Sequence, residues 1–387
     1  MKDIKIVIGS NFGDEGKGLM TRYFVTDAIL KGEKPLVVFH NGTAQRGHTV
    51  DYTDTFRHVY HHFGSGTLDG AYTYFSESFW IHPMEFFREY KELASTGIIP
   101  KTFCDPNACV ITPFDMLVDH ATEAWIEKVS GVRENASCGF GSWCAIESRG
   151  KELVRPISQY GSYIENIDII KYWLEEARKD CSAVLISRGV DIEQLPEYKE
   201  YFFNNEKIKN IIENFIFDLK FFLKHTELVS FNDMYKRHDS IIFENGQGLG
   251  LDQNISGKWH TTSNTGLTNP IALLSNKQDF SAEVCYVSRS YLTRHGVGYL
   301  EEETKKSNIN ENMVDKTNIT NEFQGHLRYG YLDDKEQQSR INRDWNLVSN
   351  DNRYSKTMAI THCNEFPDIY QKAEYFSNDP FKIIKRN

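Results

Sequence analysis

The stretch that decides the fold is residues 4–18, which read IKIVIGSNFGDEGKG. Its first five residues form a short, apolar, β-branched run, which is typical of a buried parallel strand. Gly9 ends this run, and a helical pattern extends from Lys17 until Gly32 stops it. Because a second apolar run follows at residues 36–39, the start of the chain predicts a βαβ unit.

Elements of the same two kinds continue along the chain. Further helices are predicted from Pro83 to near Gly97, from Pro113 (with Thr112 as its N-cap) to near Gly131, and over residues 206–226. Buried strands are predicted at Val184–Ser187, Ser240–Phe243 and Val284–Ser288. This alternation predicts an α/β fold with a mainly parallel central sheet and helices on both faces.

The domain organisation follows from the absence of repeats and low-complexity linkers. We predict one large domain over residues 1–387, with a helical insertion near 81–131. The polar stretch 302–322, rich in Asn, Lys, Thr and Glu, predicts a mobile loop.

Composition excludes several classes of protein. The 387 residues carry a net charge of −10, which disfavours binding to a nucleic-acid backbone. No apolar run approaches bilayer length, and the first residues lack a signal-peptide pattern, so a cytoplasmic protein without a membrane partner is expected. The seven cysteines lack zinc-site spacing, which favours reduced thiols.

The glycine loop at residues 9–18 predicts binding of phosphates. Backbone N–H groups between a strand and a helix attract anions, and Lys17 adds a positive charge. The loop is not a standard P-loop, because Gly18 stands where that motif has Ser or Thr. Asp14 and Glu15 would repel phosphates unless a cation lies between them or a carboxylate acts as a base.

Two motifs together resemble the adenylosuccinate synthetase family. Residues 9–18 resemble its signature GxxWGDEGKG, with Phe12 in place of tryptophan. Residues 45–50, QRGHTV, resemble its NAGHTV element, which also follows the second strand. By position, His48 matches the catalytic histidine and Gly47 the glycine whose carbonyl helps to bind magnesium.

Six further segments resemble family motifs, in order. They are His61–Gly66 (HLIPSG in the family), Ser137–Gly141 (TTGRG), Phe243–Gly248 (FEGAQG), Thr261–Thr265 (TSSNTT), Leu292–Gly298 (STRVGAG) and Gln324–Gly330 (TTGRRRRTGW). The resemblance extends from residue 4 to about residue 380. It therefore implies that family's fold, which is related to P-loop NTPases, and its ligase activity over a single catalytic domain.

The family makes adenylosuccinate from IMP, L-aspartate and GTP with Mg²⁺. The resemblance implies Asp14, His48 and Lys17 as catalytic residues. It implies that the phosphates of the donor nucleotide are bound by Gly13, Asp14, Glu15, Gly16, Lys17, Gly18, Gly47, His48 and Thr49, and Mg²⁺ by Asp14 and Gly47. The acceptor nucleotide is assigned to Asp14, Gln45, Ser137, Cys138, Gln247, Thr261 and Thr262, aspartate to Arg328, Gln324, Gly325 and Arg294, and the donor base to Asn364 and Ser377.

Departures from the family bear on the substrates. Residues 361–364, THCN, align with the family's guanine-binding TKxD, so an amide replaces the carboxylate and ATP or dATP becomes a credible donor. Short phage relatives accept dGMP and replace the loop aspartate by a small hydroxyl residue. This chain keeps Asp14, which favours IMP, whose base lacks a 2-amino group.

Family members are homodimers in which a neighbouring subunit supplies an arginine to the acceptor phosphate. We therefore expect a homodimer, with Arg149 or Arg155 reaching across to the neighbouring subunit.

Other classes of protein fit the sequence less well. A GTPase or kinase would need Ser or Thr after Lys17, and an inactive paralogue would be expected to lose Asp14, His48 or Lys17. A sister ligase that acts on (d)GMP, or that uses another amine, remains an alternative.

Overall fold

The computed structural model describes residues 1–132, 137–255, 261, 263–313, 325–366 and 373–386. Its strands are β1 (Lys2–Gly9), β2 (Leu36–Phe39), β3 (His48–Thr53), β4 (Phe56–Tyr60), β5 (Tyr72–Phe75), β6 (Thr102–Cys104), β7 (Thr226–Leu228), β8 (Ser240–Gly248), β9 (Phe280–Arg289), β10 (Leu292–Arg294), β11 (Glu303–Thr304), β12 (Arg328–Gly330), β13 (Tyr354–Thr361), β14 (Tyr375–Phe376) and β15 (Ile384–Lys385).

The α-helices are α1 (Lys17–Leu30), α2 (Pro83–Ser95), α3 (Pro113–Ser130), α4 (Gly150–Leu153), α5 (Ile157–Tyr163), α6 (Ile167–Ser187), α7 (Pro196–Phe203), α8 (Asn205–His225), α9 (Phe231–Arg237), α10 (Thr268–Leu274), α11 (Lys306–Ile309) and α12 (Asp334–Trp345). A π-helical segment covers Trp143–Arg149. The predicted N-terminus of α3 is confirmed: Pro113 opens the helix, and Thr112 and Asp115 form a capping box.

Among the described residues, the main sheet has ten strands in the order β15-β14-β13-β9-β1-β8-β2-β5-β6-β7. Its neighbouring strands are parallel, except that β15 is antiparallel to β14. Two small antiparallel sheets, β3-β4 and β10-β12-β11, lie beside it. The mainly parallel α/β fold predicted from the sequence is confirmed.

Two hydrophobic layers cover the two faces of the sheet. Along β1, Val7 packs into a layer with α1, α2, α3, α6 and α8, whereas Ile4, Ile6 and Ile8 pack into one with α9, α10 and α12. Successive strand residues point to opposite faces, so an unbroken apolar run is what a strand covered on both sides requires.

One predicted strand is wrong. Residues 184–187 form the last turn of helix α6, not a buried strand. The buried side chains of this helix recur at helical spacing, at Ile170, Leu174, Ala177, Cys181 and Val184. Three apolar residues in a row, Val184 to Ile186, match both a strand and a helix, and here the period of the preceding residues decides.

The helical insertion predicted near residues 81–131 starts there and continues to residue 225, since α3 to α8 all lie between β6 and β7. Of the loop predicted near 302–322, residues 302–313 contain β11 and α11, and residues 314–322 lie outside the described residues. Within the described chain, no helix is long and apolar enough to cross a membrane.

Candidate active site

A cavity of about 570 Å³ opens where several parallel strands end. The loop after β1 and the start of α1 form its floor, the segment after β13 forms one wall, and the β3–β4 hairpin forms another. Ligands of open parallel sheets bind at the carboxyl ends of strands. The lining residues used below are Asp14, Glu15, Gly16, Lys17, Gly47, His48, Thr49, Arg289, Asn364 and Ser377.

Asp14 and Gly16 in the glycine loop have left-handed backbone conformations, with positive φ angles. Gly16 caps α1 with φ of 88°, in the left-handed region that glycine adopts without steric cost. A Cβ at Gly16 would also stand 2.8 Å from the methyl group of Thr361. Asp14 is left-handed too, with φ of 60°, which is uncommon for a residue with a side chain. Strained residues of this kind concentrate at functional sites.

Glu15 organises the loop from inside. Its carboxylate accepts hydrogen bonds from the backbone N–H groups of Asn11 and Gly13, both at 3.0 Å, and from Lys17 Nζ at 2.6 Å. Glu15 is only 1% exposed. The carboxylate of Glu15 is therefore used by the loop itself, and the binding of phosphate at residue 15 stays a prediction. Lys17 borders the cavity while paired with this carboxylate.

His48 is oriented by a buried carboxylate. Its Nδ1 lies 2.7 Å from Glu244 Oε1, and the same carboxylate accepts from the backbone N–H and hydroxyl of Ser65. Burial lowers the pKa of His48, and nearby Lys17 and Arg46 act in the same direction, against the effect of Glu244. Since Nδ1 faces Glu244, Nε2 is the ring nitrogen left for a ligand in the cavity.

The predicted acceptor residues Gln45 and Gln247 lie in two segments that are tied together. Arg46 donates to the carbonyls of Glu244 and Asn41, and Asn41 bonds to both the N–H and the carbonyl of Gly246. Gln247 has φ of 59°, and its buried Oε1 lacks a hydrogen-bond partner within the described chain. An unsatisfied buried acceptor of this kind fits an N–H group of a ligand.

The predicted phosphate loop at 137–141 is packed against α3. Ser137 donates its backbone N–H to Glu123, its hydroxyl accepts from Gly139 N–H, and Cys138 is half-buried. Thr261 uses both its N–H and its hydroxyl on the carbonyl of Leu251. Thr262 and Gln324 lie outside the described residues.

The two arginines after the phosphate loop differ. Arg149 is buried and donates to both carboxylate oxygens of Asp115, at 2.8 and 3.0 Å, so it is not placed to reach a neighbouring subunit. Arg155 is about one-third exposed and pairs with Glu176. Of the two arginines that were expected to reach a neighbouring subunit, only Arg155 is therefore placed to do so.

The two arginines predicted to bind aspartate lie directly opposite each other on β10 and β12. Arg294 donates to the carbonyls of Val297 and Tyr299, and Arg328 to those of Gly296 and Gly298. Burial, together with the charge of Arg328, lowers the pKa of Arg294 to about 10. Arg328 also forms a two-pronged pair with Glu303. Gly325 precedes β12, with φ of 64°.

The cavity brings together only part of the predicted site. It contains the predicted catalytic residues and the donor-base residues Asn364 and Ser377. Among the described residues, its lining omits the following predicted acceptor and aspartate residues: Gln45, Ser137, Cys138, Gln247, Thr261, Arg294, Gly325 and Arg328. The cavity therefore matches the donor-nucleotide half of the predicted site.

The residues predicted for Mg²⁺ suit that ion. Asp14 offers a partly exposed carboxylate, and Gly47 is exposed at the same cavity, so that its peptide carbonyl can serve as a second oxygen ligand. Mg²⁺ takes oxygen ligands and usually keeps waters or phosphate oxygens alongside one or two carboxylates. The residues present therefore fit a magnesium site completed by phosphates.

Sequence reasoning missed three residues of the site. Glu244 lies in the motif Phe243–Gly248, in which the sequence analysis gave a role only to Gln247. Arg289 lines the cavity and donates its Nε–H to the carbonyl of Asp14 at 2.5 Å. His295 places Nε2 3.5 Å from Asp14 Oδ2. The position of Glu244 directly after the predicted strand Ser240–Phe243 was an available signal, whereas the other two depend on long-range contacts.

The fold and the cavity together define an α/β protein with a glycine loop, lysine and paired histidine at the carboxyl edge of its sheet. The profile of the adenylosuccinate synthetase family matches residues 6–342. The chain belongs to the adenylosuccinate synthetase family.

Relatives and solved structures agree with this membership. Adenylosuccinate synthetase of Talaromyces stipitatus is 27% identical over 308 residues, which is 76% of this chain and 64% of that enzyme. That of Thermoplasma acidophilum is 28% identical over 261 residues, 67% of this chain and 54% of that enzyme. The chain thus spans between about half and two thirds of the length of these relatives.

Two solved structures share the fold. Fully ligated adenylosuccinate synthetase from Plasmodium falciparum has a TM-score of 0.65 and 17% identity, over 93% of this chain and 77% of that one. Succinoaminodeoxyadenylate synthetase of cyanophage S-2L, bound to dGMP and to dATP as energy donor, has a TM-score of 0.63 and 14% identity, over 100% and 95%. At these identities the likeness establishes the fold.

Proposed function

We propose that this protein is a purine-nucleotide:L-aspartate ligase with IMP as its acceptor. The observation that carries the proposal is one cavity lined by Asp14, Lys17 and His48, with His48 held by buried Glu244. In the first step O6 of the 6-oxopurine attacks the γ-phosphorus and the nucleoside diphosphate leaves. In the second, the aspartate amine attacks C6 and phosphate leaves, which gives adenylosuccinate.

Each residue has a chemical task in this proposal. Asp14 accepts the N1 proton as O6 becomes nucleophilic. Burial lowers the pKa of His48 in the free protein, and the charge of incoming phosphates favours its protonated form. Nε2–H then donates to the transferring phosphoryl group. When bound, Mg²⁺ supplies positive charge between the phosphates. Lys17 leaves its ion pair with the Glu15 carboxylate and binds phosphate oxygens instead.

Acceptor and aspartate complete the proposed site outside the cavity lining. The unsatisfied Oε1 of Gln247 suits an N–H edge of the purine. Arg294 and Arg328, which are paired across β10 and β12, suit the two carboxylates of aspartate, because arginine binds a carboxylate bidentately. Aspartate would compete with Glu303 for Arg328.

The test is the mass of the product. The protein is incubated with IMP, GMP or dGMP, with aspartate, and with ATP or GTP and Mg²⁺. We expect adenylosuccinate from IMP, formed only when aspartate and a triphosphate are both present. If none of the mixtures gives a succinylated nucleotide, the proposal is wrong.

One observation favours a second candidate, a sister ligase that acts on dGMP. The dGMP-bound phage enzyme matches the whole of this chain and 95% of its own length, unlike the longer curated relatives. Under that alternative, dGMP gives the succinylated product and IMP does not. The mass assay above separates the two.

The donor base gives a further prediction. Asn364 lines the cavity with Lys17, and an amide pairs well with adenine but leaves its own N–H facing the N–H groups of guanine. We expect ATP or dATP to be used at least as well as GTP. Asn364→Asp should raise the GTP:ATP ratio of kcat/KM about tenfold to hundredfold, since an unpaired buried polar group costs about 1–3 kcal/mol.

Steady-state kinetics with each donor measures this ratio. Asn350→Asp makes the same change at an exposed residue outside the cavity and should leave the ratio unchanged. Strict dependence on GTP in the unmodified protein would contradict the assignment of Asn364.

We also propose that the protein is a homodimer, in which Arg155 extends toward the partner's acceptor phosphate. Sedimentation velocity should give twice the mass of the chain. Arg155→Ala should weaken acceptor binding about tenfold to hundredfold, because one charge-assisted hydrogen bond contributes roughly 1.5–3 kcal/mol. A fully active monomer would refute the dimer.

A further inference from the structure

Away from the cavity, three side chains of types that bind metals meet inside the helical insertion. Asp115 on α3, Cys144 in the π-helical segment and Cys181 on α6 are each 0% exposed. Cys144 Sγ lies 3.9 Å from Cys181 Sγ, and Cys181 Sγ lies 3.7 Å from Asp115 Oδ1. The two cysteines are 37 residues apart, so their spacing along the chain gives no sign of this cluster.

The separations fit the ligands of one tetrahedral zinc ion. Zinc binds thiolate sulfur at about 2.3 Å and carboxylate oxygen at about 2.0–2.2 Å. At the tetrahedral angle, such bonds place two sulfurs about 3.8 Å apart, and sulfur and oxygen about 3.6 Å apart. The sulfur–sulfur and sulfur–oxygen distances of 3.9 and 3.7 Å agree with these values, and all three ligand atoms lie within 4.8 Å of one another.

The carboxylate is already oriented for such an ion. Asp115 Oδ2 accepts from the N–H and the hydroxyl of Thr112, at 2.8 and 2.7 Å, which leaves Oδ1 toward the sulfurs. Arg149 Nη1 donates to both oxygens. In metal sites, ligating carboxylates are themselves held by hydrogen bonds of this kind.

The charges of the cluster balance when a divalent ion is bound. Two thiolates and the Asp115 carboxylate carry three negative charges, and the ion together with Arg149 carries three positive charges. Burial raises the pKa of Cys181, and its hydrogen bond with Cys144, together with burial, raises the pKa of Cys144. Both thiols therefore hold protons in the free protein, and binding of the ion releases these two protons.

We propose that Asp115, Cys144 and Cys181 form a buried binding site for one Zn²⁺ ion, with a water molecule as the fourth ligand. None of the three lines the cavity, and thiolates favour zinc over magnesium, so the site is distinct from the magnesium site. The proposal does not depend on the proposed function. The 37%-exposed Asp180 lies 3.7 Å from Arg149, so the cluster lies about one side chain below the surface.

The position of the site gives the ion a structural task. It would join α3 and α6 to the segment Trp143–Arg149, which closely follows the predicted phosphate loop at residues 137–141. An ion that binds the folded chain and not the unfolded one stabilises the fold by mass action. We therefore expect Zn²⁺ to raise the melting temperature of the protein.

The experiment titrates the protein with Cd²⁺, a zinc analogue whose bonds to thiolates absorb in the ultraviolet, and with Zn²⁺ in a calorimeter. A phosphine reductant, which has no thiol, keeps the cysteines reduced. We expect one ion per chain and the thiolate absorption. Cys144→Ala and Cys181→Ala should each weaken binding at least about hundredfold, because loss of an outer-shell partner alone costs about 10–100-fold.

Cys285→Ala is the matched control, because Cys285 is equally buried but lies on β9. It should bind the ion as the unmodified protein does. Melting curves check the fold, and where an alanine variant unfolds, the serine variant, closer in size, takes its place. Absence of thiolate absorption in the unmodified protein would overturn the proposal. Binding that persists unchanged without Cys144 or Cys181, or that is lost equally in Cys285→Ala, would overturn it too.

Discussion

Replacing Asp14 by Ala or Asn, or His48 by Ala, is expected to lower kcat by about two to three orders of magnitude. Asp14→Asn keeps the shape of the side chain but cannot take the N1 proton. His48→Ala removes the group that meets the transferring phosphoryl, and it leaves Glu244 buried without its imidazole partner. Because these contacts form in the transition state, the loss should fall on kcat more than on KM.

Single-turnover and steady-state measurements with IMP, aspartate and ATP check this expectation. Asp239→Ala is the matched control, because its side chain is 85% exposed and distant from the cavity in the fold. Melting curves establish that each variant is folded. Near-normal turnover in folded Asp14→Asn or His48→Ala would show that the proposed mechanism is wrong.

Arg149→Met is expected to lower the free energy of unfolding by about 3–5 kcal/mol. The guanidinium holds both oxygens of Asp115, and the two side chains are 2% and 0% exposed. Removing one member of a fully buried pair leaves the other charge in a medium of low dielectric constant. Asp115 also caps α3, so the helical insertion beside the predicted phosphate loop should lose stability first.

Arg155→Met is the matched control for this effect. Its pair with Glu176 is about one-third exposed on both sides, so the expected loss is below about 1 kcal/mol. Urea denaturation followed by circular dichroism measures both variants. Equal destabilisation by the two changes would contradict a buried structural role for Arg149.

Local pattern predicted most of the fold. The run at residues 4–8, the cap at Thr112 and the periodicity over 206–226 each correspond to an element of the structure, because strand and helix formation depend on neighbours in sequence. The predicted strand at residues 184–187 was wrong, because a run this short does not distinguish the period of a strand from that of a helix. The family motifs likewise placed Asp14, Lys17, His48 and Asn364 in candidate roles before any contact was known.

What only the tertiary structure decided is which partner each of these side chains has. Glu15 turned out to hold Lys17 and the loop amides, and His48 to be oriented by Glu244, 196 residues further along the chain. Asp14 meets His295 only because two distant loops converge at the edge of the sheet. A pattern in sequence reports the spacing of residues along one element, whereas hydrogen bonds and ion pairs depend on distances across elements, which packing alone sets.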